Sequence, residues 1–148
     1  MSFLRVYFLA VLSYDELITK THLARLNRLK SEPQGFSLEE NGVHYNCAIC
    51  HASISGSAGW WDLNGEKCLS CQNAVNNGIV PTSICGNRDS WYSTYELTKV
   101  YKVTHSTISS MTREGTLKSR KIKAVTGTTT FEIFIKQENE ILSTLKKN

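Results

Sequence analysis

Proline is scarce in this chain: only Pro33 and Pro81 occur in 148 residues. Apolar residues reach 41%, which excludes a disordered, low-complexity tail. Long hydrophobic runs are also missing. The longest, Val6 to Leu12, is seven residues, against about 20 for a membrane-spanning helix. Arg5 is the only basic residue flanking that run, and no small-x-small cleavage site follows before Tyr14-Asp15-Glu16. The pattern of a secretory signal is therefore lacking, and a cytoplasmic location without membrane contact is expected.

Neither charge sign is short overall, with 17 basic and 13 acidic side chains and net +4. The excess is not evenly spread. Residues 1–85 hold six basic and seven acidic side chains, net −1. Residues 86–148 hold eleven basic and six acidic, net +5. That asymmetry points to nucleic acid or an acidic surface as the partner of the C-terminal part.

Five cysteines are present, at 47, 50, 68, 71 and 85. Cys47, Cys50, Cys68 and Cys71 form two C-x2-C pairs separated by seventeen residues, the spacing of a structural zinc site. Two cysteines separated by two residues can turn both thiolates inward from one tight turn. Two such knuckles make a tetrahedral cage for Zn2+. Asn64-Gly65 is a hairpin turn signal between them. It places Trp60 and Trp61 on strands, where one can pack on the cluster. A short helix ending at Gly78 is expected after Cys71. Knuckle, hairpin, knuckle and helix resemble a small treble-clef or ribbon zinc finger. Two disulfides or an iron site of rubredoxin type would use the same residues. His44 and His51 flank the first knuckle as surface residues or outer donors, and Cys85 reads as a buried free thiol. Four cysteines close a zinc site to water. No Asp-His dipeptide occurs, and neither His44 nor His51 has an acid two residues on. The openings of HNH nucleases and of zinc deaminases are thus absent, and the chain is not expected to be an enzyme.

The C-terminal third reads as a succession of small elements. Ser93-Thr94-Tyr95-Glu96 is a capping box, followed by Leu97, Val100 and Tyr101 at helical spacing. Thr104 is the N-cap of a second helix with Ile108 and Met111 on its apolar side, ended by Gly115. Two helices joined by about three residues have the grammar of a helix-turn-helix. The second exposes His105, Ser106, Ser109, Ser110 and Arg113, side chains suited to base edges in a major groove. A β-hairpin follows. Lys118, Arg120, Lys121 and Lys123 lie along its first arm. Thr126-Gly127-Thr128 is its turn. Phe131, Ile133 and Ile135 share one face of its second arm. A short helix from Lys136 to Leu145 closes the chain.

These residues, from Trp91-Tyr92-Ser93-Thr94-Tyr95-Glu96-Leu97 through Val103-Thr104-His105-Ser106-Thr107-Ile108 to Arg113-Glu114-Gly115-Thr116-Leu117-Lys118-Ser119-Arg120-Lys121-Ile122, resemble the excisionase-type, MerR-like winged helix-turn-helix. The resemblance covers about 55 residues. It implies double-stranded DNA binding, with the second helix in the major groove and the wing on the backbone or in the minor groove. By position it assigns His105, Ser106, Ser109, Ser110 and Arg113 to the helix contact. Lys118, Arg120, Lys121 and Lys123 fall to the wing. Lys102 stands where that family usually has glycine, and Thr98 where it has alanine. The short, excisionase-like form is the nearer one, since no long coiled-coil helix of the metal-sensing regulators follows.

Ser13-Tyr14-Asp15-Glu16 starts a further helix, expected to reach about Lys30 with Leu17, Ile18, Leu23, Leu26 and Leu29 apolar. Residues 3–12 are apolar and would favour a dimer or docking contact if exposed. Phe36–Leu38 and Val43–Tyr45 flank Glu40-Asn41-Gly42 as a second hairpin. The expected whole is α+β. It comprises an N-terminal helical segment at 1–32, a four-cysteine zinc module at 36–80 and a winged helix-turn-helix at 88–148. The expected function is sequence-specific binding of double-stranded DNA, in transcription regulation or as an accessory factor of recombination, in the cytoplasm at the nucleoid. A homodimer or protein partner would engage the N-terminal segment or the zinc module. The alternative is a zinc-stabilised adaptor that docks protein and not DNA.

Overall fold

The computed structural model describes residues 13–38, 45–54, 59–124 and 127–145. Helix and sheet are mixed, as the alternation of periodicities predicts, and the chain is α+β. Helix α1 (Tyr14–Arg28) begins where the Ser13 hydroxyl accepts the Glu16 N–H at 3.2 Å. It ends two residues before Lys30. Its packing differs from the expected apolar stripe. Leu29 is buried with Phe36, Leu38 and Trp61, and Leu26 is half-buried there, whereas Leu17 and Leu23 stay exposed. What docks the helix besides that cluster is charge. Arg25 is buried and donates to the buried Glu66 carboxylate at 3.3 Å, which also accepts the Tyr45 N–H at 2.7 Å. A buried carboxylate is tolerated only when its oxygens are satisfied in this way.

Strand β1 (Phe36–Ser37) pairs antiparallel with β2 (Trp60–Asp62), and β2 pairs with β3 (Gly65–Lys67). The Asn64-Gly65 turn forms as expected, with Gly65 at φ +105°, a region other residues rarely adopt. The hairpin partner expected for Phe36–Leu38 falls mainly on 39–44, outside the described residues, as does the apolar segment 3–12. Trp61 lies on Phe36, with ring centroids 5.6 Å apart, and belongs to the α1 cluster. It does not pack on the cysteines.

Helix α2 (Leu69–Asn76) is followed by Gly78 at φ +75° and by the short α3 (Thr82–Cys85). A 3₁₀ turn at Arg88–Ser90 leads into β4 (Trp91–Ser93). Then come α4 (Thr94–Tyr101), α5 (His105–Arg113), β5 (Arg120–Lys123) and β6 (Thr129–Ile135). The second sheet has the order β4-β6-β5. Both arms of the capping box at Ser93 and Glu96 are made, and the Thr104 hydroxyl accepts the Thr107 N–H. Lys102 between the two helices adopts the left-handed conformation, φ 51° and ψ 39°. The final helix expected at Lys136 to Leu145 is instead two 3₁₀ turns, Lys136–Glu138 and Glu140–Ser143. Asn139 breaks it. Its buried amide accepts the Lys118 N–H and donates to the carbonyls of Lys118 and Ile135, bonds that hold the backbone off a continuous helical path.

The β4-β6-β5 sheet is covered on both faces. On one, Trp91, Ile122, Ile133 and Ile135 share a core with Cys47, Ile49, Cys71, Ala74 and Val80, with Phe131 packed against it. On the other, Tyr92 and Phe134 meet Leu97, Tyr101, Ile108, Leu117 and Leu142. The cysteine-bearing segment and the hairpin are therefore joined through apolar contact, not merely tethered by 81–90. Among the described residues no helix is long and apolar enough to cross a membrane.

Candidate metal centre and basic groove

The first knuckle is a tight turn in which the His51 N–H donates to the Cys47 carbonyl at 2.9 Å and the Cys47 N–H to the Ala52 carbonyl at 2.8 Å. His51 closes it with φ 62°. The second knuckle is the start of α2: Cys68 is its N-cap, and Cys71 lies on its buried side. The hairpin turn brings the two together. The four sulfurs of Cys47, Cys50, Cys68 and Cys71 all lie within 4.8 Å of one another. A tetrahedral Zn2+ with bonds of about 2.3 Å has sulfur–sulfur edges of about 3.8 Å. Cys50 Sγ and Cys68 Sγ stand 3.8 Å apart. All five cysteines are free thiols, so the two-disulfide arrangement is not formed. The four are positioned to bind a metal ion, and their geometry is compatible with zinc.

Electrostatics favour a cation at this point. The S–H groups of Cys50, Cys68 and Cys71 push the Cys47 thiol far below its ordinary value. Hydrogen bonds with Cys47, Cys50 and Cys68, together with burial, push Cys71 far above it. Four thiolates cannot share so small and dry a space unless a positive ion balances them. Cys47 and Cys71 are buried and Cys50 and Cys68 half-buried, so the centre lies at the edge of the core. Cys85 is apart from the cluster, as expected. Its thiol reaches the Pro81 carbonyl at 3.5 Å, and burial pushes its pKa up. His44 lies outside the described residues, and His51 is exposed.

A groove of about 590 Å³ opens between the start of α4, one side of α5 and the second sheet. Of the residues assigned to DNA contact, the structure brings His105, Ser109, Arg113 and Lys121 together along it. Ser106, Lys118 and Lys123 are exposed outside its lining. Ser110 is half-buried and accepts from Arg113 Nη2 at 3.2 Å. Arg120 sits differently. Its side chain points to the face shared with the cysteine segment, where it donates to the Ile79 carbonyl at 3.1 Å and pairs with Glu138. That carboxylate holds the Arg120 pKa up, and Arg120 in turn holds Glu138 below the usual carboxylate range. The alternation of β5 separates Arg120 from its neighbour Lys121.

Sequence reasoning missed Tyr95, Thr112, Phe131 and Glu132, which also line the groove. Thr112 is three residues after Ser109 on α5, so the helical period alone could have found it. Glu132 stands opposite Lys121 in the strand register, and no local signal announces that pairing. Two further ionic pairs were also missed: Arg25 with Glu66, and the buried Lys67, whose ammonium donates to both Asp62 oxygens at 2.8 Å. Comparison of the chain with protein-family models, with curated proteins and with solved structures finds no match.

Proposed function

We propose that the chain is a zinc-stabilised protein that binds double-stranded DNA in a sequence-specific way, as a transcription regulator or an excisionase-like accessory factor of recombination. The observation that carries this reading is the groove. It sets His105, Ser109 and Arg113 of α5 beside Lys121 of the neighbouring strand. Short hydroxyls and an imidazole can meet base edges, while Arg113, Lys118, Lys121 and Lys123 supply phosphate contacts on either side. Arg120 is left out of that set because Glu138 and Ile79 already engage it. The zinc is structural in this reading. Held by Cys47, Cys50, Cys68 and Cys71, it would fasten α2 and the first knuckle under the second sheet, and no step of DNA recognition passes through it. One nine-residue helix reads few bases, so useful specificity calls for a second copy or a partner protein.

The test is duplex DNA binding by the zinc-loaded full chain at increasing salt. About four phosphate contacts per chain give a log–log slope near −4, and replacing Arg113 and Lys121 by alanine reduces it by about two. Binding that ignores salt and survives both substitutions would refute DNA recognition. It would leave the protein-docking adaptor as the reading.

A further inference from the structure

Arg88 bridges the knuckle beside the metal centre and the helix cap beside the groove with one guanidinium. It lies in the 3₁₀ turn that leads into β4. Its Nε donates to His51 Nε2 at 3.3 Å, its Nη1 to the Trp91 carbonyl at 2.8 Å and its Nη2 to the Glu96 carboxylate. The same group lies 3.7 Å from the centroid of the Trp91 ring. Each partner belongs to a different part of the molecule. His51 directly follows Cys50 and closes the first knuckle in a left-handed conformation. Trp91 is in the core shared with the cysteines. Glu96 accepts the Ser93 N–H at 3.1 Å, completing the capping box of α4. Ser93, Thr94 and Tyr95 at that cap line the groove.

We propose that Arg88 is a positioning residue that couples metal binding at the four cysteines to the cap of α4, so that the groove takes its shape in the metal-loaded chain. The metal fixes the turn that carries His51. The turn fixes the guanidinium at Nε, and its Nη2 holds Glu96 in its cap. A lysine cannot replace it, because a single ammonium lacks the planar fork that spans three acceptors. Coupling of this kind is reciprocal: what metal does for the cap, the cap does for metal affinity. It stands whatever the groove binds.

The test uses the full chain and Zn2+ alone, competed against a chromophoric chelator, with amide hydrogen exchange followed in parallel. Leu142→Ala, in the opposite core, serves as the reference for general loss of stability. Arg88→Ala is expected to weaken Zn2+ binding about fivefold or more beyond a reference matched in stability, and Arg88→Lys does not restore it. Glu96→Gln, which keeps a capping side chain, weakens Zn2+ binding in the parent chain but not in the Arg88→Ala background. The Glu96 amide exchanges faster when zinc is stripped from the parent, and is already fast in Arg88→Ala with zinc bound. Equal zinc affinities in Arg88→Ala and the reference overturn the proposal, as does a Glu96→Gln effect that persists without Arg88. If Arg88→Ala does not fold, His51→Ala and Glu96→Gln make the same test as a pair, and independent, additive effects on zinc affinity overturn it.

Discussion

Asn139→Ala removes a side chain that is 2% exposed and ties the end of β6 to the start of the hairpin. Its Oδ1 accepts the Lys118 N–H at 2.7 Å, and its Nδ2 donates to the Lys118 carbonyl at 3.0 Å and the Ile135 carbonyl at 2.9 Å. Three hydrogen bonds at about 1 kcal/mol each give a loss of about 3 kcal/mol, since the freed groups at Ile135 have little access to water. For a chain of this size that lowers Tm by about 6–12 °C. Urea unfolding of the zinc-loaded protein, with zinc in excess so that metal loss does not enter, measures the difference. Asn139→Asp sharpens the test. At neutral pH it keeps the acceptor but turns two donated bonds into contacts between a carboxylate and two carbonyls, so it should cost at least as much as alanine. Protonation returns one donor, so its deficit should narrow as the pH falls from neutral toward the usual carboxylate range and change no further below it. A loss under about 0.5 kcal/mol for Asn139→Ala, within the scatter of surface substitutions, would refute the assignment of Asn139 as the clamp on this end of the hairpin.

Lys102→Gly is expected to be neutral or stabilising by up to about 1 kcal/mol, because relief of the left-handed backbone offsets the added freedom of glycine in the unfolded chain; thermal unfolding decides it, and a clear loss would contradict the left-handed geometry. Asp62→Ala leaves the ammonium of Lys67, whose side chain is 1% exposed, without its carboxylate. It should cost about 3–5 kcal/mol in urea, whereas Asp62→Leu with Lys67→Met should recover most of that. Glu138 is held below its ordinary value by Arg120. Its contribution is therefore present above the unfolded carboxylate value of about 4.3 and lost as pH falls through the lower folded value. The stability gap between the parent and Glu138→Gln should shrink between about pH 5 and pH 3, and a gap that grows on acidification would contradict the pairing.

What could be read in the sequence was local. The two C-x2-C pairs, the Asn64-Gly65 turn, the Ser93 and Thr104 caps and the alternation of Phe131, Ile133 and Ile135 each depend on residues a few positions apart. Each has the structure its spacing requires. What could not be read depends on distant partners. Arg25 with Glu66 and Arg120 with Glu138 lie 41 and 18 residues apart. In a linear sequence such side chains look like solvated charge. The same holds for the groove. The helix contribution of His105, Ser109 and Arg113 follows from the period of α5, but Tyr95, Phe131 and Glu132 reach it only through the packing of α4 and the sheet. The exposure of Leu17 and Leu23 was not legible either, since α1 is docked as much by its buried arginine as by its apolar stripe.

Neighbouring residues of β6 answer to different halves of the molecule: Ile133 and Ile135 to the cysteine side, Phe134 to the helix side. A slip of that strand by one residue would send every one of these side chains into the wrong core at once. The alignment of β6 is thus checked twice, once from each side, and the sheet has a single way to close. The irregularity between Ile122 and Lys123, where β5 shifts its partners on β6, lies beyond Ile122, the last β5 residue in the core shared with the cysteines. The change of register thus falls outside the double-sided core, and the inner end of the ladder keeps one alignment.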